Sequence, residues 1–189
     1  MTSPSRPSLP GQLAMADGAD PSLVRSVEVR RSARRKRTVA ARLERGNLIV
    51  YVPARMSAAE EADWVDKMRR RLEAQERRRR LNGSGDLEKR AQELNQRYFG
   101  GKLAWNSLSY VGNQQSRYGS CTVAKATIRL SDVLADMPGW VRDYVIVHEL
   151  AHLVVPNHSG DFWALVNRYP LTERARGFLI AKGIEAAED

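Results

Sequence analysis

A single cysteine, Cys121, stands in 189 residues, so an intramolecular disulfide framework is closed to this chain. A chain of this length needs no such staples to bury one core. Scarcity of thiols fits a reducing, cytoplasmic compartment. No apolar run approaches the roughly 20 residues of a membrane-spanning helix, which sets a membrane role aside. Acids are in deficit: 31 Lys and Arg face 22 Asp and Glu, a net charge of +9. The deficit is local. Through Arg80 the chain carries 19 basic and 10 acidic residues, and from Leu81 onward 12 of each. Two runs hold the excess, Arg30-Arg31 with Arg34-Arg35-Lys36-Arg37, and Arg69-Arg70-Arg71 with Arg77 to Arg80. Such runs are ordinarily solvated surface, and they also suit an anionic partner such as nucleic acid. Aromatic residues, 7% of the chain, do not interleave with them, so the sequence marks no stacking platform.

Histidine is nearly as scarce as cysteine, and its placement is informative. All three histidines, His148, His152 and His158, fall within eleven residues, with Glu149 beside the first. The run His148-Glu149-Leu150-Ala151-His152 is an H-E-x-x-H. On a helix, positions i and i+4 share a face, so His148 and His152 project together and can grip one ion. Glu149 can then reach a water at that ion without ligating it. Catalytic zinc sites use three protein ligands and keep a fourth position open. His158 lies roughly 15 Å beyond His148 on an unbroken helix, too far to join them. Pro156 breaks the helix, and Asn157 tolerates left-handed geometry, so the chain can turn and bring His158 back. The i, i+4, i+10 spacing equals that of the metzincins, with Val155 where they have a turn glycine. Two plainer readings are weaker. Core histidines would leave a Glu buried without a purpose on an apolar helix, and a structural zinc site would normally be closed with cysteines.

These residues resemble a known family. His148 to Leu153, Asn157-His158-Ser159 and Phe162-Trp163 are similar to the YgjP-like metal-dependent hydrolases, small zincins related to the SprT-like and WLM proteases. Upstream, Ser116-Arg117-Tyr118-Gly119-Ser120-Cys121 resembles that family's S-R-W-G-S-C element. The likeness extends from about Val27 to Gly183 and is tightest from Ser116 to Trp163. Tyr118 stands where the family usually has Trp, and the family's P-D-Y segment reads Pro170-Leu171-Thr172. The resemblance implies a zincin-like fold, zinc on His148, His152 and His158, and Glu149 as general base. It also makes Arg117 and Tyr118 candidates for stabilising an oxyanion.

Residues 1–23 are rich in Pro, Ser, Gly and Ala without an apolar signal core, and are expected to be a disordered tail rather than a signal peptide. Residues 24–189 read as one domain, with a basic strand-hairpin-helix part (24–85) and a catalytic part (86–189). The pattern predicts a short strand at Val27–Val29 and a hairpin of Thr38–Leu43 with Leu48–Val52, turning where Gly46 and Asn47 can take positive φ. A capping box at Ser57-Ala58-Ala59-Glu60 opens a helix to about Arg80, with Trp64, Met68 and Leu72 as its buried stripe. A helix from Asp86 to about Tyr98 turns Leu87, Ala91, Leu94 and Tyr98 inward. Strands follow at Ser107–Val111 and Ala126–Leu130, then the metal helix to about Val154, a short helix capped by Ser159, and a last one from Thr172. By analogy with other zincins, Thr127 to Leu130 is the expected cleft-side edge strand.

This is an α+β chain, a small mixed sheet packed on helices with the metal helix at the cleft. Cys121 and Tyr144 are expected to pack rather than react. Phe162 and Trp163 are expected to fix the loop carrying His158, and Asp161 or Glu173 to accept a ligand imidazole's free N–H. The function expected is zinc-dependent hydrolysis of peptides or proteins. The alternatives are a nucleic-acid-associated protein, including a DNA-linked protease, and a non-proteolytic zinc amidase.

Overall fold

A computed structural model of the protein describes residues 24–114 and 117–183. The expected tail, residues 1–23, lies outside the described residues, as does Ser116. The chain divides into two compact units, one up to Glu61 and one from Ala62 onward.

The first unit is a three-stranded mixed sheet. Strands β1 (Ser26–Ser32), β2 (Ala40–Glu44) and β3 (Asn47–Pro53) lie in the order β1-β3-β2, with β1 parallel and β2 antiparallel to the centre. Leu48, Val50 and Val52 on β3 are fully buried, and strict alternation sends Asn47, Ile49 and Tyr51 to the opposite face. Register corrects the expected turn. Glu44 pairs with Asn47, so Arg45 (φ 49°) and Gly46 (φ 87°) are its two central residues. Positive φ at both centres is the mark of a type I′ turn, and the strain falls on Arg45 rather than Asn47.

Helix α1 (Ala58–Gly83) starts where the capping box predicts. The Ser57 N–H donates to Glu60 Oε2 at 3.0 Å, and the Glu60 N–H donates back to Ser57 Oγ at 3.3 Å. Its stripe of Trp64, Met68 and Leu72 is only half-buried. Near its C-terminus Arg77 pairs with Asp136 at 2.6 Å and Arg78 with Asp132 at 2.9 Å. Arg79 also lies 3.8 Å from Glu76, so at least three of the second basic run's last four arginines are already matched to acids.

The second unit holds the main core. Helix α2 (Asp86–Phe99) buries Leu87, Ala91, Leu94 and Phe99, with Tyr98 only half-buried. It ends at Gly100, whose φ of 65° suits a residue without Cβ. Strands β4 (Ser107–Val111), β5 (Gly119–Thr122) and β6 (Thr127–Ser131) form a second mixed sheet in the order β4-β6-β5. The expected edge strand is thus the central one: β6 pairs on both sides, and the edges are β4 and β5, the latter a strand absent from the sequence reading. Helix α3 (Gly139–His152) is buried along nearly its whole length, followed by α4 (Gly160–Val166) and α5 (Thr172–Ala181). A bidentate contact ties α2 to α3, with Arg90 Nε and Nη2 at 2.9 and 2.6 Å from the two oxygens of Asp143. Among the described residues the fold is α+β, with five helices and two small sheets where one was anticipated. No helix among them is long and apolar enough to cross a membrane.

Candidate metal centre

The centre is built from the end of α3 and the turn behind it. His148, Glu149 and His152 lie on the last turns of α3, a helix that is buried because its Val141, Val145, Ile146, Val147 and Leu150 fill the core. The helix stops at His152, where the N–H groups of Val154 and Val155 both reach back to the Ala151 carbonyl. Asn157 does not take positive φ, so the return of His158 needs no left-handed residue. Pro156 ends the helix, and the loop closes at Ser159, ahead of α4. Ser159 holds the N-cap position but makes no side-chain cap bond.

This turn brings the three histidines together. His148 Nε2 lies 3.2 Å from His152 Nε2 and 3.2 Å from His158 Nε2. The candidate ligand atoms of all three fall within 4.8 Å of one another. An ion bound tetrahedrally at 2.0–2.1 Å holds its nitrogens roughly 3.3–3.4 Å apart, so the spacing fits a metal. The chemistry fits too. His148 Nε2 faces two other ring nitrogens at once, an arrangement that a single proton cannot satisfy. Burial, reinforced by the neighbouring imidazoles, pulls the His148 pKa down to about 3, and burial lowers that of His152. Both are neutral at neutral pH, the form that ligates.

Aromatic rings hold the imidazoles in place. Phe162, fully buried, stacks on His152 with centroids 4.5 Å apart, and Trp163 stacks on His158 at 6.0 Å. This is the supporting role expected of the pair. For His152 the acceptor is backbone: its Nδ1 donates to the Val155 carbonyl at 3.3 Å. Asp161 is exposed, and Glu173 pairs with Arg176.

Glu149 is 4% exposed, and its Oε2 is buried without a hydrogen-bond partner. Burial pushes its pKa up to about 8, opposed by the charge of Arg117. It borders a cavity of about 250 Å³ that is also lined by the three histidines, Arg117 and Tyr118. Arg117 is exposed; Tyr118 is 4% exposed, with burial raising its phenol pKa so that it stays a donor. Tyr144 is buried with its ring 6.0 Å from that of His148, and Cys121 also lines the wall. Sequence reasoning missed Gly119. A Cβ there would fall 2.7 Å from Glu149 Cδ and 2.8 Å from its Cγ. Its φ is unexceptional, so the need for glycine is close approach, which no local pattern announces.

Residues 87–179 match the family model described as YgjP-like, metallopeptidase domain. The resemblance read from the residues holds over this stretch, which encloses every candidate site residue and is shorter than the Val27–Gly183 span anticipated. No curated protein matches the chain. One solved structure that is similar is the crystal structure of the metallopeptidase zymogen of Pyrococcus abyssi abylysin. It shares 18% identity and a TM-score of 0.45, covering 51% of this chain and 93% of that one.

Proposed function

We propose that this chain is a zinc-dependent metallopeptidase of zincin type, with His148, His152 and His158 as ligands and Glu149 as general base. The match to a metallopeptidase domain supports a metal-dependent hydrolase. The observation that carries the finer reading is the convergence of three imidazole nitrogens beside a buried carboxylate with one unpartnered oxygen, at the wall of a cavity. Three imidazoles at the wall of an open cavity are a donor set that suits zinc.

When bound, zinc supplies a Lewis acid that polarises a carbonyl oxygen and shifts the pKa of water from 15.7 toward about 7. The protein's residues do the rest. Glu149 accepts a proton at Oε2, holds it in its dry niche and delivers it to the leaving amine. A carboxyl whose pKa lies near neutrality is suited to both transfers. Tyr118, kept protonated, and Arg117 at the exposed side of the cavity are assigned the developing oxyanion. The peptide is assigned to the outer edge of β5, because β5 has a partner strand on one side only and Gly119, Ser120 and Cys121 line the cavity.

The test is metal analysis of the purified chain with a peptide-library cleavage assay, with and without chelator. About one zinc per chain is expected, lost on His148→Ala or His152→Ala and weakened on His158→Ala. If the intact chain binds zinc no better than the triple alanine variant, the proposal is wrong.

A further inference from the structure

The catalytic reading leaves the charge of the first unit without a use. From Val24 to Glu61 the chain has ten Lys and Arg against four Asp and Glu, and nine of the ten are arginine. The sheet concentrates part of this charge on one side chain. Tyr51 sits on the central strand β3, on the face opposite the buried Leu48, Val50 and Val52. The register places Arg30 of β1 directly beside it, and Arg42 of β2 two pairs away on the same face, opposite Ile49. Arg35 reaches the same ring from the β1–β2 connection. The guanidinium carbons of Arg30, Arg35 and Arg42 lie 6.0, 5.5 and 5.6 Å from the Tyr51 ring centroid.

The three guanidinium groups are not equally held. Glu28 contacts Arg30 Nε at 2.6 Å and Glu44 contacts Arg42 Nε at 3.0 Å, so carboxylates fix both arms. Arg35 has only a 3.4 Å bond to Thr38 Oγ1 and no carboxylate within ion-pair distance among the described residues. Arg34, Lys36 and Arg37 beside it are exposed. An aromatic ring on a sheet, flanked by two fixed cations and covered by a third that can move aside, is the arrangement that stacks an unpaired base and holds its phosphates.

We propose that this face of the β1-β3-β2 sheet binds single-stranded nucleic acid, with Tyr51 as the stacking platform and Arg30, Arg35 and Arg42 as phosphate contacts. Arginine's planar fork matches phosphate and stacks on rings, whereas lysine offers a point charge. Duplex is the poorer ligand because its bases are already stacked. An anionic membrane is poorer too. Among the described residues the exposed large hydrophobics, Val123, Val133, Val154 and Ile180, all lie in the second unit, so the described part of this face offers none to insert. The arginines at the end of α1 are a weaker candidate, since Arg77 and Arg78 stand over no aromatic ring among the described residues, whereas Arg30, Arg35 and Arg42 surround Tyr51.

The experiment titrates the full chain with labelled oligothymidylate of about 15 nucleotides, near the upper site size of small sheet-based binders, across a salt series. Three variants are compared: Arg30→Gln/Arg35→Gln/Arg42→Gln, the charge-matched Arg69→Gln/Arg70→Gln/Arg71→Gln, and Tyr51→Leu, each checked for native circular dichroism. The sheet triple is expected to weaken binding far more than the helix triple and to lower the salt slope by about 2, three phosphate contacts' worth for a single strand. Tyr51→Leu is expected to cost about 5- to 100-fold with the slope unchanged. Equal losses from the two triples, no effect of Tyr51→Leu, equal affinity for duplex, or binding to phosphatidylserine vesicles without binding to oligothymidylate would each overturn the proposal. Zinc content and peptide cleavage are expected to be unchanged in these variants, so failure here leaves the peptidase reading standing.

Discussion

Gly119 on β5 and Glu149 on α3 are packed so closely that the backbone of one sits where a side chain would strike the other. A methyl group on Gly119 would lie 2.7 Å from Glu149 Cδ and 2.8 Å from Cγ. Real carbons do not approach so near, and Cγ is not the free end of a flexible arm. The edge strand therefore forms one wall of the niche that holds the carboxylate. Gly119→Ala is expected to cost about 1–3 kcal/mol of stability through overpacking. It is expected to lower kcat with little change in KM or zinc content, because the carboxylate is displaced while the histidines are not. In a Glu149→Ala background the same substitution should be nearly neutral, since the colliding atoms are gone. Thermal melts of the four-member cycle, with kinetics of the single variant, check both points; a cost that persists without the glutamate would make Gly119 a general packing residue.

Glu149→Gln keeps the side chain's length and shape but cannot take a proton from water. Zinc content is expected to stay near that of the unaltered chain, with turnover falling by roughly 10²–10⁴-fold. Stability is expected to hold or rise, because a buried carboxyl whose pKa stands at about 8 is costly to ionise. Metal analysis beside cleavage rates reads the result. Parallel loss of metal and activity would show that the residue supports the site rather than serving as its base.

The Arg90–Asp143 pair is expected to respond unequally to loss of its partners. Asp143 has 10% of its side chain exposed and Arg90 38%. Arg90→Met would strand a buried carboxylate and is expected to cost about 3 kcal/mol. Asp143→Asn leaves an acceptor for Arg90, which also keeps Glu93 at 2.7 Å, and is expected to cost about 1 kcal/mol. Urea titrations give both values, and the order of the two is the informative result.

What the sequence made legible follows from how far apart the interacting residues lie. The convergence of the three histidines needs only helical periodicity and one proline, all within eleven residues, so it was readable from the spacing, although the turn forms without left-handed geometry at Asn157. The same holds for the capping box at Ser57 and Glu60. The edge strand was not readable, because edge or centre is decided by which strands pair, and Gly119-Ser120-Cys121-Thr122 has little of the bulk that marks a strand. Gly119 was missed for the same reason, since its partner lies 30 positions away on another element. The arginine runs show this most clearly. In sequence Arg77, Arg78, Arg35 and Arg42 look equivalent, whereas folding gives the first two aspartate partners and gathers the other two around Tyr51.

Cys121 lies on β5 at the cavity wall, where a thiol invites the question of whether it reacts. Burial, and then the charge of Glu149, push its pKa up to about 11, against an ordinary value of 9.0. The thiolate is the reactive form, so a two-unit rise leaves on the order of 100-fold less of it at pH 8. Iodoacetamide labelling of the folded chain, followed by mass spectrometry, is expected to be slower by about that factor than labelling in denaturant. Raising the pH from 8 to 9.5 should speed the folded reaction steadily, without the plateau of a thiol already ionised. Cys121→Ser should leave zinc content and cleavage near normal, because the sulfur stands outside the three-histidine cluster and is assigned no step. Labelling as fast in the folded chain as in the unfolded one, or loss of zinc on Cys121→Ser, would instead place Cys121 among the residues that do the chemistry.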